Sequence, residues 1–178
     1  MRTLSVDVVR PSPAELRLAY VLAGDVARLR VPAPAAPRRG TDLWRHTCFE
    51  AFVRAEDAVA YHELNLAPSG EWATLAFRDY RVPDEPPRAD AAPTASLAAV
   101  SRLAVRATAD RVELDATVAL DALAPAYAAS ALSIALATVV EETGGTRSYW
   151  ALRHSTDAPD FHHREAFALR VEPPAAAC

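Results

Sequence analysis

Residues Tyr61 to Phe77 read YHELNLAPSGEWATLAF, two alternating runs joined by a segment that carries Pro68 and Gly70. The pattern is that of a β-hairpin. Strand side chains alternate, so His62, Leu64 and Leu66 oppose Tyr61, Glu63 and Asn65. Burying two leucines is worth roughly 1.5–3 kcal/mol each, whereas a buried unpaired carboxylate costs several. The leucines therefore face the core, with His62 at its edge, and Glu63 and Asn65 face away. In the second run Leu75 and Phe77 are expected on the core side, leaving Trp72, Thr74 and Arg78 on the polar side. In the preceding CFEAFV, Phe49 and Val53 take the core and Glu50 stands beside Phe52. If the three strands are neighbours, one sheet face presents Glu50, Glu63, Asn65, Trp72 and Arg78 together.

Working outward, the remaining chain reads as more short strands. AELRLAYVL and DVARLRV flank a turn at Ala23-Gly24-Asp25, with Leu16, Leu18 and Tyr20 alternating against Glu15, Arg17 and Ala19. LAVRAT and RVELDATVAL bracket a turn at Ala109-Asp110, and FALRVE closes the chain as a last strand. ALSIALATVVEE carries enough alanine for a helix, but Ile134, Val139 and Val140 favour a buried strand that turns through Gly144-Gly145 into RSYWALRH. DALAPAYAAS is expected as a helical turn or linker, and the proline-rich PAPAAPRRGTD and RVPDEPPRADAAPTAS as loops. About ten short strands without βαβ spacing predict an all-β protein, an antiparallel sandwich formed as a single domain over residues 1–178.

Composition narrows the function classes. The chain has 178 residues, 51% of them hydrophobic, and a net charge of -4, which gives no basic footprint for nucleic acid. All 19 cationic residues are arginine, so a Schiff-base lysine and a P-loop lysine are both excluded. No apolar run approaches the ~20 residues of a membrane span, and Asp7 and Arg10 interrupt what would be a secretory leader. Cys48 in a strand and Cys178 at the end do not form a disulfide framework, so a reduced, cytoplasmic setting is expected.

An aromatic platform ringed by carboxylates and an amide suits a sugar, whose hydroxyls need acceptors and whose C–H face stacks on Trp or Tyr. The alternative is an ordinary solvated face, with Glu63 or Glu50 pairing Arg78 across strands. Near the end of the chain, His154, Asp157, Asp160, His162 and His163 lie within ten residues. Asp160 and His162 are candidate ligands of a divalent metal. Equally, Asp160 could cap a turn, Phe161 plug the core and His162 bond a backbone carbonyl. Cys48 with Arg45 and His46 would form a nucleophile pair only with facing side chains and an oxyanion hole, which nothing signals. In SYWALRH, a core-facing Trp150 would send Tyr149 and Arg153 to the polar face; an open sheet edge would instead bring His154 to Arg45 and Glu50.

DLWRHTCFEAFV, YHELNLAPSGEWATLAFRDYR, SYWALRH and PDFHHREAFALRV, taken in order, resemble the DOMON-like superfamily, in the branch that includes family 9 carbohydrate-binding modules. The resemblance spans about Asp42 to Val171. It implies an immunoglobulin-like or jelly-roll sandwich that binds a sugar or haem and performs no catalysis. By position it carries Glu50, Glu63 and Asn65 onto polar sugar-binding positions, and Trp72 and Trp150 onto stacking ones. The haem members use axial Met with His or Lys; here Met1 is the sole methionine and lysine is lacking, which leaves only bis-His ligation. The expectation is a non-catalytic module for a small polar, sugar-like ligand, contacting neither nucleic acid nor membrane. No cofactor is expected, haem or a divalent metal being the alternative, and a structural or protein-interaction domain is the other.

Overall fold

Residues 2–84, 99–155 and 158–175 are described by the structure, a computed structural model. The sequence of the long proline-rich loop falls mostly at 85–98, and Asp157 and the terminal cysteine also lie outside the described residues. Among the described residues twelve strands form two sheets, so the protein is an all-β sandwich. The four-stranded sheet runs β1 (Thr3–Ser12), β2 (Glu15–Ala23), β9 (Arg111–Ala119), β8 (Val100–Ala107). The larger sheet runs β11 (Arg147–Ala151), β10 (Leu132–Glu141), β4 (Cys48–Ala55), β5 (Tyr61–Leu66), β6 (Glu71–Asp79), β3 (Arg38–Arg39). To it β12 (Leu169–Val171) adds on β10 and β7 (Val82–Pro83) on β6. All pairings are antiparallel except the short β3–β6 ladder, a departure from the purely antiparallel expectation.

The core forms as the alternation dictates. Leu16, Leu18, Tyr20 and Leu22 of β2 and Val112, Leu114 and Val118 of β9 meet Phe49, Ala51 and Val53 of β4, Leu64 and Leu66 of β5, and Leu132 and Ile134 of β10. The Tyr20 and Phe49 rings lie 5.1 Å apart across the two sheets, and the Tyr20 hydroxyl donates to the Glu50 carbonyl at 2.9 Å. ALSIALATVVEE is a strand, buried on both sides along most of β10.

Two elements differ from expectation. DVARLRV is not the partner strand of β2 but a 3-10 turn at Val26–Arg28, which buries Val26 and Leu29 at i, i+3 spacing. The partner of β2 is the N-terminal segment, whose Leu4, Val6 and Val8 lean on the core while Ser5, Asp7 and Val9 face out. Strands β1 and β2 thus supply half of the smaller sheet from residues ahead of Asp42.

Candidate functional site

The outer face of the larger sheet carries the chemistry. Register places Ala137, Glu50, Asn65 and Ala73 in one cross-strand row, and Ala135, Phe52, Glu63 and Leu75 in the next. Glu50 and Glu63 are therefore diagonal neighbours on adjacent strands, both turned away from the main core. The segment from Pro159 to Phe167 folds over this face. Its Phe161, Ala166 and Phe167 pack on Phe52, Tyr61, Phe77, Ala135 and Ala137, sealing the Tyr61 end. The other end stays open as a cavity of about 550 Å³, a size suited to a small ligand. Glu50 and Glu63 line it with Phe52, Phe77 and His162, and Trp44 and Tyr149 stand at its mouth, 47% and 41% exposed.

Each carboxylate has a different setting. Glu50 is 3% exposed and its Oε1 has no hydrogen-bond partner among the described residues. Burial, and then the neighbouring Glu63, push its carboxyl well above the usual range. Glu63 is also raised by burial, but less freely: Asn65 Nδ2 donates to its Oε1 at 2.6 Å and Arg81 lies near. Asn65, 1% exposed, spends its amide on Glu63 and accepts the Cys48 thiol at 3.6 Å. It positions Glu63 from below. Cys48 is fully buried, and burial followed by the Glu50 charge push its thiol up, so a thiolate nucleophile is disfavoured there.

The histidine-rich segment supplies a wall. The His162 ring sits edge-on to Phe52, Tyr61 and Phe77 at 5.0, 5.8 and 5.1 Å. Burial and then Arg81 lower its pKa to about 4, so the ring is neutral near pH 7 and its 3.7 Å approach to Glu63 is not an ion pair. Burial works against the charge on Asp160, but bonds from the Tyr80 hydroxyl at 2.5 Å and Arg81 at 2.9 Å outweigh it and hold the carboxyl low. Both candidate metal ligands are thus engaged with protein groups, and among the described residues no group of three His, Cys, Asp or Glu stands close enough to hold a metal.

Of the residues expected at this site, Glu50, Glu63 and Tyr149 line the cavity, with Asn65 beneath. Trp72 and Arg78 require a correction. Leu66 pairs with Trp72 and Glu63 with Leu75, so Leu75 and Phe77 share the Glu63 face and Trp72 belongs to the main core at 6% exposure, under the Arg39 guanidinium. Arg78 is exposed, with the parity of Trp72. Arg45 is exposed beside Asp42 and over the Trp44 ring. Trp150 leans on the core; of its neighbours, Tyr149 lines the cavity, while Arg153 is exposed and outside the lining. His154 is exposed, its ring 6.2 Å from Phe161, and reaches neither Arg45 nor Glu50 as a described partner. Trp44, Arg81 and Phe161 also line the cavity without having been expected there. Trp44 sits in a 3-10 turn at Leu43–Arg45, where strand alternation gives no signal.

A second hollow of about 830 Å³ lies beyond the Tyr61–His162 pair. Its charges are mixed, Arg54 and Arg164 against Glu56, Asp57, Asp79 and Glu165, and Glu56 is already engaged by Arg170. No helix among the described residues is long and apolar enough to cross a membrane.

No protein-family model and no curated protein matches the chain. Among solved structures it is similar to a protein from Bacteroides uniformis described as a "putative carbohydrate-binding protein", with a TM-score of 0.62 and 14% identity over 91% of this chain and 74% of that one. At that identity the likeness establishes a shared fold.

Proposed function

We propose that this protein is a non-catalytic binding module for a small polar ligand of carbohydrate type, held in the cavity between Trp44, Tyr149, Glu50 and Glu63. The observation that carries the reading is a buried acceptor, Glu50 Oε1, left without a partner at the floor of an open cavity whose mouth is aromatic. A buried polar atom in that state lacks about 1–3 kcal/mol that a hydroxyl or amine would return. Trp44 and Tyr149 are exposed aromatic rings in the cavity lining, the kind of surface on which the C–H face of a pyranose stacks. The description of the Bacteroides uniformis neighbour as carbohydrate-binding, and the resemblance to DOMON-like modules, agree with it.

Titrating intrinsic tryptophan fluorescence with a panel of mono- and disaccharides tests the proposal. Saturable binding, weakened tenfold or more by Trp44→Ala or Glu63→Gln, is expected. No saturable response to any sugar, or one indifferent to both substitutions, would overturn it.

A further inference from the structure

We propose that the cavity selects a ligand bearing a positively charged nitrogen, an amino sugar in first place; this rests on the carbohydrate reading above and specifies it. Two acids meet at the cavity floor, and Glu50 has neither a hydrogen-bond partner on Oε1 nor a counter-charge among the described residues. Glu63 and Glu50 are the acids of the floor. The cations nearby are committed: Arg81 to Asp160 at 2.9 Å and along the Tyr80 ring, and Arg45 to Asp42 at 3.4 Å. His162 is bonded to the Tyr61 hydroxyl at 2.8 Å and is neutral.

Among the described residues, no element packed around Glu50 supplies a counter-charge. Its own strand brings the Cys48 thiol, β5 brings Glu63, and β2 brings the Tyr20 hydroxyl, which bonds the Glu50 backbone carbonyl. Strand β10 brings Ala137 opposite it and Val139 at the cavity wall. A sugar hydroxyl answers the orphan oxygen only with a neutral bond, because burial and Glu63 favour the protonated Glu50. An ammonium group stabilises the carboxylate and bonds it with charge assistance, about twice the strength of a neutral bond. The walls agree: Phe52, Phe77, Phe161, Trp44 and Tyr149 present aromatic rings, which attract a cation through their quadrupoles.

A linkage follows. Without ligand, burial and Glu63 favour the protonated form of Glu50. An ammonium favours its carboxylate, so binding releases a proton, and affinity rises with pH until the amine itself deprotonates.

Isothermal titration with glucosamine, glucose, N-acetylglucosamine and cyclohexylamine, at one pH in two buffers of different ionisation enthalpy, separates the cases. The expected result is glucosamine bound roughly tenfold or more tightly than glucose or N-acetylglucosamine, with proton release, and a preference erased by Glu50→Gln. Equal affinity for the three sugars, or a glucosamine preference that survives Glu50→Gln, overturns the amine proposal and leaves the carbohydrate reading standing. Binding of cyclohexylamine that is lost in Glu50→Gln, with no response to any sugar, upholds the charge selection and removes the carbohydrate reading. Failure of both amines to bind overturns the proposal.

Discussion

The Tyr61 hydroxyl stands 2.8 Å from Nδ1 of His162 and accepts the Arg81 backbone N–H at 3.1 Å. Its own proton is free to donate to Nδ1, an arrangement that would put the imidazole proton on Nε2, 3.7 Å from Glu63. Protonating Nδ1 would break that arrangement inside an aromatic enclosure. The pKa of His162 is lowered from 6.5 to about 4, so between those values the unfolded chain binds the extra proton and the folded one does not. The contribution is complete above pH 6.5 and disappears as pH falls through about 4. Relative to His162→Gln, the wild type should gain up to about 3 kcal/mol of unfolding free energy across this window. Urea melts at half-unit steps of pH check it; parallel curves for the two proteins would refute the assignment.

Glu50 works with the opposite sign. Its folded pKa is raised, so the folded state holds the proton more firmly, and stability falls as pH rises from about 4.5 through the folded value. Glu50→Gln removes this cost while keeping the shape. The variant should match wild type near pH 4 and exceed it by about 1–3 kcal/mol near pH 8. A variant less stable than wild type at pH 8 would mean that the carboxylate is compensated within the protein, against the orphaned Oε1.

How much of this was legible in the sequence depends on whether the deciding contact was local. Leu64 and Leu66 oriented β5 on their own, and with it Glu63 and Asn65. Strand β6 was inverted because its face depends on loop length rather than on its own pattern. Ala67 and Glu71 close a three-residue loop, with Ala67 N–H donating to the Glu71 carbonyl at 2.8 Å, so residues of equal parity face each other and Trp72 follows Leu66 inward. One residue more or fewer would have sent it out. Strand β1 carries a period-two pattern in Leu4, Val6 and Val8, hidden by an edge position that tolerates Pro11. The covering of the sheet by Phe161 and Phe167 joins residues about a hundred positions apart, and no periodicity encodes such a contact.

That loop makes its own prediction. Gly70 adopts φ of 88°, and a Cβ there would lie 2.6 Å from the Ala35 carbonyl oxygen, a backbone atom with no rotamer to escape through. Gly70→Ala should lose about 1–3 kcal/mol from strain and clash, a drop of several degrees in Tm. Gly144 has nothing within 4 Å of its would-be Cβ and no left-handed φ. Gly144→Ala should be neutral or gain up to about 1 kcal/mol by restricting the unfolded chain. Equal thermal shifts for the two variants would refute the loop geometry.

Arg10 ties the far end of the sandwich together. It is 8% exposed, and its guanidinium donates to four backbone carbonyls: Ser130 at 2.7 Å, Tyr127 at 2.5 Å, and Pro13 and Ala128 at 3.1 Å each. These carbonyls belong to the turn after β9 and to the link between β1 and β2. The same turn points the Tyr127 hydroxyl at the Val53 carbonyl and His62 Nδ1, both at 2.8 Å, so the clamp reaches β4 and β5 through one side chain. Arg10→Met keeps the aliphatic stem but leaves the four carbonyls to water or to nothing. It should cost about 2–4 kcal/mol. Amide exchange should speed up first around residues 124–131 and at the N–H groups near Val53, while the Glu50–Glu63 end keeps its protection. Uniformly faster exchange over the whole chain, or none, would show that Arg10 does not act as a local clamp.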